Sequence, residues 1–295
     1  MFEGATAAIV TPFRAGVLDL EAIRALTRHL VDAGIDGIVA LGSTGEAATL
    51  SLEERRKVLE VVLAEASGRA FVIAGTGTNS TDQTIQLSRA AREVGVDGLM
   101  LVTPYYNKPM PEGLVRHYEA VARAVEIPII VYNVPGRTGL NLKVETAARL
   151  SRIDHVVAIK EASGSVDQAS ELVAETELTV LSGDDSLTLP MMSVGAQGVV
   201  SVVANVVPAE VKAMVDAAVR SDLTHATHLH HQLYPLTKAM FIETNPAPVK
   251  HALSVLGFIA DELRLPLVPV SRTAARAIEE AMKKHGLPVA AGAGA

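Results

Sequence analysis

The chain has 295 residues, 49% apolar and 20% charged, with a formal net charge of -7 and no cysteine. Such a composition suits one large α/β domain with an appendix. The negative charge, with no basic run, excludes a phosphate-backbone partner, and the missing thiols exclude disulfides, thiolate metal sites and a cysteine nucleophile.

From the N-terminus onward, strand-like and helix-like segments alternate. The first ten residues lack a basic region and the apolar core of a secretory signal. No later segment has the apolar length of a membrane helix, so a cytoplasmic protein is expected. Apolar runs at residues 6–10, 37–41, 71–75, 98–103, 127–132, 156–160, 178–181 and 198–201 read as buried strands. Helical spacing of apolar residues covers 20–33, 52–66, 81–94, 112–124 and 209–219. Asp19 and Ser51 stand where N-caps belong, Ser51-Leu52-Glu53-Glu54 fits a capping box, and Gly34 and Gly95 fall just past helix ends. Eight such units predict a (β/α)8 barrel. A doubly wound sheet competes, but its nearest phosphate loop, Gly75-Thr76-Gly77-Thr78-Asn79-Ser80, lacks the third glycine. The barrel is expected over residues 1–224. A helical domain without strand signals follows over 225–295, and its low-complexity tail, 289–295, is expected to fray.

Barrel chemistry collects where strands end. The second strand ends in Gly42-Ser43-Thr44-Gly45-Glu46. The fourth ends in Thr103-Pro104-Tyr105-Tyr106-Asn107-Lys108-Pro109, and the fifth in Tyr132-Asn133-Val134-Pro135-Gly136-Arg137-Thr138-Gly139. The seventh ends in Ser182-Gly183-Asp184-Asp185. Each motif has an ordinary reading: a tight turn at Gly42 and Gly45, packing aromatics at Tyr105 and Tyr106, a solvated charge at Arg137. Asp184 and Asp185 read as an N-cap and first-turn acid of the next helix. The joint arrival of these groups at one face favours function for the others.

Lys160 ends the sixth strand. An ammonium there leaves water, and losing its proton is the cheap response. The resulting free amine is the nucleophile that carbonyl substrates need for imine formation. Strand alternation puts Lys160 on the face of Val156 and Ala158, and Tyr132 on that of Ile130, so the two meet if both faces point inward. A phenol beside the amine can shuttle protons. The turn at Gly42–Gly45 suits a small carboxylate, and Arg137 a second one. Lys108 is the rival nucleophile, but its loop looks solvated, which keeps an amine protonated. His225, His228, His230 and His231 lack a metal-binding spacing with a carboxylate and read as a solvated helix face.

The Gly42–Glu46, Tyr132–Gly139 and Ile159-Lys160-Glu161-Ala162 motifs resemble those of the pyruvate-dependent class I aldolases. Within them the chain is most similar to the dihydrodipicolinate synthases, from Ala7-Ala8-Ile9-Val10-Thr11-Pro12-Phe13 to the 242–250 stretch ending in Lys250. The resemblance implies condensation of pyruvate with L-aspartate semialdehyde to 4-hydroxy-tetrahydrodipicolinate, in lysine and diaminopimelate biosynthesis, with no cofactor and no metal. By the same resemblance Lys160 forms the imine, and Tyr132, Ser43 and Tyr106 form a hydroxyl relay, Tyr106 reaching into a neighbouring subunit of a homotetramer. Thr44 holds the pyruvate carboxylate, Gly183 and the Val200 carbonyl line the site, and Arg137 grips the aldehyde's carboxylate.

Two departures stand out. Ser43 replaces the family's usual threonine and is shared with sialic-acid lyases. In the pocket where lysine inhibits sensitive synthases, near Ala47, Asn79 and Tyr105, this chain has Leu52, Arg55 and Gln83 in place of two histidines and a glutamate. Weak feedback by lysine is expected. Sialic-acid or keto-deoxy-sugar lyase activity is the alternative within the fold, and a non-catalytic binding barrel the remote one.

Overall fold

The computed structural model describes residues 1–289. Eight parallel strands close into a barrel in chain order: β1 (Gly4–Ala8), β2 (Gly37–Ala40), β3 (Phe71–Gly75), β4 (Gly98–Val102), β5 (Ile129–Asn133), β6 (Val156–Glu161), β7 (Thr179–Ser182) and β8 (Gly198–Ser201). The last strand pairs with the first, Gly4 against Gly198, so no sheet edge remains and the doubly wound alternative is excluded. The fold is the (β/α)8 barrel that the sequence predicts.

Alternation along each strand builds two apolar layers. Ala8, Val39, Ile73, Met100, Ile130, Ala158, Leu181 and Val200, one from each strand, pack together inside the ring. Their neighbours, such as Ile38, Leu99, Val131, Ile159 and Val199, belong to the larger core beneath the outer helices. The interior is a packed core, so chemistry is confined to the rim.

Helix ends follow their caps. Asp19 accepts from the Ala22 amide, and Ser51 and Glu54 make both halves of the capping box. Gly95 closes the helix Thr81–Val94 at φ 99°, a conformation that costs glycine little. The fifth strand starts later than expected, at Ile129, because Pro128 has no N–H for the ladder. A small antiparallel hairpin, Phe13–Arg14 with Val17–Leu18, was not expected. Ala15 and Gly16 turn it at φ 51° and 80°, as a two-residue hairpin loop requires.

After β8 the described chain is helical, with long helices Pro208–Val219, Leu223–Ala239, Ala247–Val255 and Arg272–Lys284. The tail expected to fray lies outside the described residues, apart from Val289. Among the described residues no helix is long and apolar enough to cross a membrane.

Candidate active site

Tyr132 and Lys160 are direct partners in the β5–β6 ladder, so pairing register alone brings them together. The Lys160 Nζ lies 4.3 Å from the centre of the Tyr132 ring. Lys160 is 5% exposed. Burial pulls its pKa down to about 8, against an upward pull from Asp185 and a smaller one from Asp184. Burial pushes the Tyr132 phenol up to about 12. Near neutral pH the pair therefore offers an amine close to losing its proton and a phenol that keeps one, which suits carbonyl attack with proton return.

One residue further along each strand, Asn133 and Glu161 are also paired and point the other way. Sequence reading gave them no task. Glu161 is fully buried, and its carboxylate accepts from Asn133 Nδ2 at 2.9 Å, Gln168 Nε2 at 3.0 Å and the Ser163 amide at 2.6 Å. Asn133 donates to Asn141 as well, and its side-chain Oδ1 accepts from the Leu142 amide. This network satisfies a buried carboxylate and holds the ends of β5 and β6 in register, which fixes the Tyr132–Lys160 contact. The signal was available: two polar residues each immediately follow a residue assigned to the site.

Asp184 and Asp185 take the expected positions, N-cap and first-turn acid, but the expected capping bond is missing. Asp184 stands at the start of the short turn Asp185–Leu187 but makes no capping bond. Asp185 is buried and accepts from the Ser201 hydroxyl and, at 2.9 Å, from the Val202 amide, so it ties β7 to the end of β8. Burial raises the pKa of both acids. Both roles were assigned from chain position, whereas the donors that claim Asp185 lie across the ladder.

The turn after β2 is bracketed by Leu41 at φ 61° and Glu46 at φ 50°, both left-handed without glycine. Gly45 fits because a methyl there would sit 3.1 Å from the Leu41 amide nitrogen. Ser43 and Tyr132 share the wall of a cavity of about 350 Å³ with Arg137, Tyr105 and Asn245. Thr44 is buried behind that wall, and its hydroxyl accepts Asn245 Nδ2 at 2.9 Å. Arg137 rides on the turn Pro135–Thr138 and donates to the Asn245 carbonyl at 3.1 Å, its guanidinium otherwise facing out. Gly183 packs on the lysine itself, since a methyl there would lie 3.0 Å from Lys160 Cε. Val200 lies in the interior cluster with Tyr132. Asn245 is a site residue that the sequence reading passed over.

Tyr106 is the outlier. It is 89% exposed, at φ 71°, and does not line the cavity of its own chain. Lys108 is exposed on the same loop. His225, His228, His230 and His231 lie on the helix Leu223–Ala239, and among the described residues no three His, Asp or Glu side chains cluster as metal ligands. Arg55 donates to the carbonyls of Ala47 and Leu50 and lines the cavity beside Tyr105.

Residues 1–285 match the dihydrodipicolinate synthetase family. The chain is 51% identical to the 4-hydroxy-tetrahydrodipicolinate synthase of Pelobacter propionicus, over 97% of this chain and all of that one. The crystal structure of dihydrodipicolinate synthase from Aquifex aeolicus superposes with a TM-score of 0.95 at 46% identity, covering 98% of this chain and 99% of that one. That of the Acinetobacter baumannii synthase complexed with pyruvate gives 0.96 at 41%, covering 98% and 100%.

Burying Lys160 has a thermodynamic signature. Its folded pKa lies below its unfolded one, so the protonated form destabilises the fold, by about 3 kcal/mol well below pH 8. The penalty shrinks as pH rises through the folded value of about 8 and is gone above the unfolded value of 10.5. Lys160→Met should therefore raise the thermal midpoint at pH 7, and its advantage should fade between pH 8 and 10.5. An advantage independent of pH over that window would show that the amine is not desolvated.

Proposed function

The chain belongs to the dihydrodipicolinate synthetase family, and we propose that it condenses pyruvate with L-aspartate semialdehyde to give 4-hydroxy-tetrahydrodipicolinate and water, a step of lysine and diaminopimelate biosynthesis. The observation that carries the reading is the buried Lys160 amine against Tyr132, whose side chain shares the wall of a cavity with Ser43 and Arg137.

The free amine of Lys160 attacks the pyruvate carbonyl carbon, and the carbinolamine loses water to form the imine. Loss of a methyl proton gives the enamine, whose carbon attacks the aldehyde and leaves a hydroxyl. The amino group of the former aldehyde substrate then attacks the imine carbon, closing the ring and returning the lysine amine. Tyr132 moves these protons, with Ser43 and a partner subunit's copy of Tyr106 relaying them to solvent. Thr44 holds the pyruvate carboxylate, and Arg137 the carboxylate of the aldehyde. Gly183 leaves room for the substrate beside Lys160, and Val200 lines the floor. The pyruvate complex of the Acinetobacter relative supports pyruvate as the first substrate.

A sugar lyase shares the Ser43-Thr44 pattern. A cation at the mouth favours a carboxylated aldehyde over a sugar, which needs hydroxyl partners. Pyruvate and aspartate semialdehyde should be turned over together in a coupled assay, and sialic acid should not be cleaved at a comparable kcat/KM. Arg137→Ala should raise the KM for aspartate semialdehyde roughly tenfold to a hundredfold, a loss of about 1.5–3 kcal/mol, and leave that for pyruvate nearly unchanged. Equal effects on both substrates would remove Arg137 from the aldehyde carboxylate.

The exposure of Tyr106 supports a homo-oligomer in which that side chain completes a partner's site; from the family resemblance we read the assembly as a homotetramer and its location as cytoplasmic. Tyr106→Phe should keep the fold and lower kcat about tenfold or more. Unchanged kcat would dismiss the relay. Lysine should inhibit weakly, because Gln83 offers no carboxylate to its ammonium and Leu52 and Arg55 supply none. Strong inhibition at submillimolar lysine, in a titration at near-KM substrate, would overturn that expectation.

A further inference from the structure

Thr44 and Arg137 stand at the ends of different strands, yet Asn245 touches both, through its side-chain amide and its backbone carbonyl. Asn245 sits just before the helix Ala247–Val255. That helix carries Lys250, which is fully buried. Its ammonium donates to Glu46 Oε1 at 2.6 Å and to the Thr11 carbonyl at 2.9 Å, and lies 4.5 Å from the centre of the Phe13 ring. Glu46 is also fully buried on its side chain and closes the turn that carries Ser43 and Thr44. Its other oxygen accepts the Arg264 amide at 3.1 Å.

A buried ion pair is a poor way to gain stability, since an apolar pair of the same volume is often as good. It is a good way to fix geometry, because each charge tolerates only its partner. Here the two charges sit two hundred residues apart in sequence, one on the turn of Thr44 and one on the helix that follows Asn245. The hairpin Phe13–Arg14 with Val17–Leu18 acquires a purpose as well, since Phe13 forms the apolar face against which Lys250 and Arg264 pack.

We propose that Glu46 and Lys250 are positioning residues for substrate binding: their contact sets Asn245, and through it holds Thr44 and Arg137 at the separation that the two substrate carboxylates require. This rests on the reading of Thr44 and Arg137 as the carboxylate holders. Neither residue of the pair acts on the reacting atoms, and the Lys160–Tyr132 contact does not depend on them.

The test compares the natural chain with Glu46→Gln/Lys250→Met, which removes both charges together, and with Asn245→Ala, which leaves the pair intact. Glu46→Gln/Lys250→Met should raise the KM for pyruvate and for aspartate semialdehyde about tenfold. Asn245→Ala loses the Thr44 contact but keeps the carbonyl that Arg137 donates to, so it should raise the KM for pyruvate about tenfold and leave the other nearly unchanged. Combining them should add little to the pyruvate effect. Borohydride trapping of Lys160 at saturating pyruvate should stay complete in Glu46→Gln/Lys250→Met. A folded double-charge variant with a lower thermal midpoint but both KM values within twofold of the natural chain would make the pair a structural tie only. Asn245→Ala with an unchanged KM for pyruvate would overturn the proposal even if the charge variant does not fold. Loss of trapping at saturation would place the defect at Lys160 and overturn it too. Failure of the functional reading itself is distinct: the natural chain would then not condense the two substrates.

Discussion

An ammonium group taken out of water must be paired or lose its proton, and this barrel buries two lysines that meet the demand in opposite ways. Lys250 is given a carboxylate and a carbonyl at hydrogen-bond distance and becomes a fixture. Lys160 is given only the face of a phenol and the distant field of Asp184 and Asp185. The first arrangement ties the helical segment to the rim. The second leaves an amine ready to react. Burial is the same in both, and the neighbours decide the chemistry.

The acids follow the same logic. Glu161, Glu46 and Asp185 are all buried at the rim, and each is satisfied by a different set of donors: side-chain amides and an N–H for Glu161, a lysine and an N–H for Glu46, a hydroxyl and an N–H for Asp185. Each links elements that carry groups proposed to face the substrates. Together they form a polar collar around the apolar interior. A loosened collar would move Tyr132, Thr44 or Arg137 without touching the apolar core. Special backbone conformations gather at the same rim, at Leu41, Glu46 and Tyr106, on top of a regular barrel.

Barrel closure was legible because eight apolar runs with helical spacers admit few folds, and the Lys160–Tyr132 contact because alternation and strand order suffice to bring the two side chains together. What stayed hidden depends on long-range pairing. Lys250 was quoted only as the end of a family-like stretch, 204 positions from Glu46, and no local pattern marks such a pair. Asp185 read as a first-turn acid, and only the neighbouring strand shows that Ser201 and Val202 claim it. Asn245 was quoted within a family-like stretch without a task, since its partners Thr44 and Arg137 arrive from two other strand ends. The hairpin at Phe13 was missed because two-residue strands carry no periodicity to read.

The central claim is that the barrel desolvates one amine and thereby makes it the nucleophile. Pyruvate with borohydride, followed by peptide mass mapping, tests it most directly, because reduction freezes the imine on whichever lysine formed it. The account predicts a single pyruvate-derived mass increment on the peptide containing Lys160, absent when pyruvate is omitted. An increment on Lys108 or Lys250, or none at all, would contradict it.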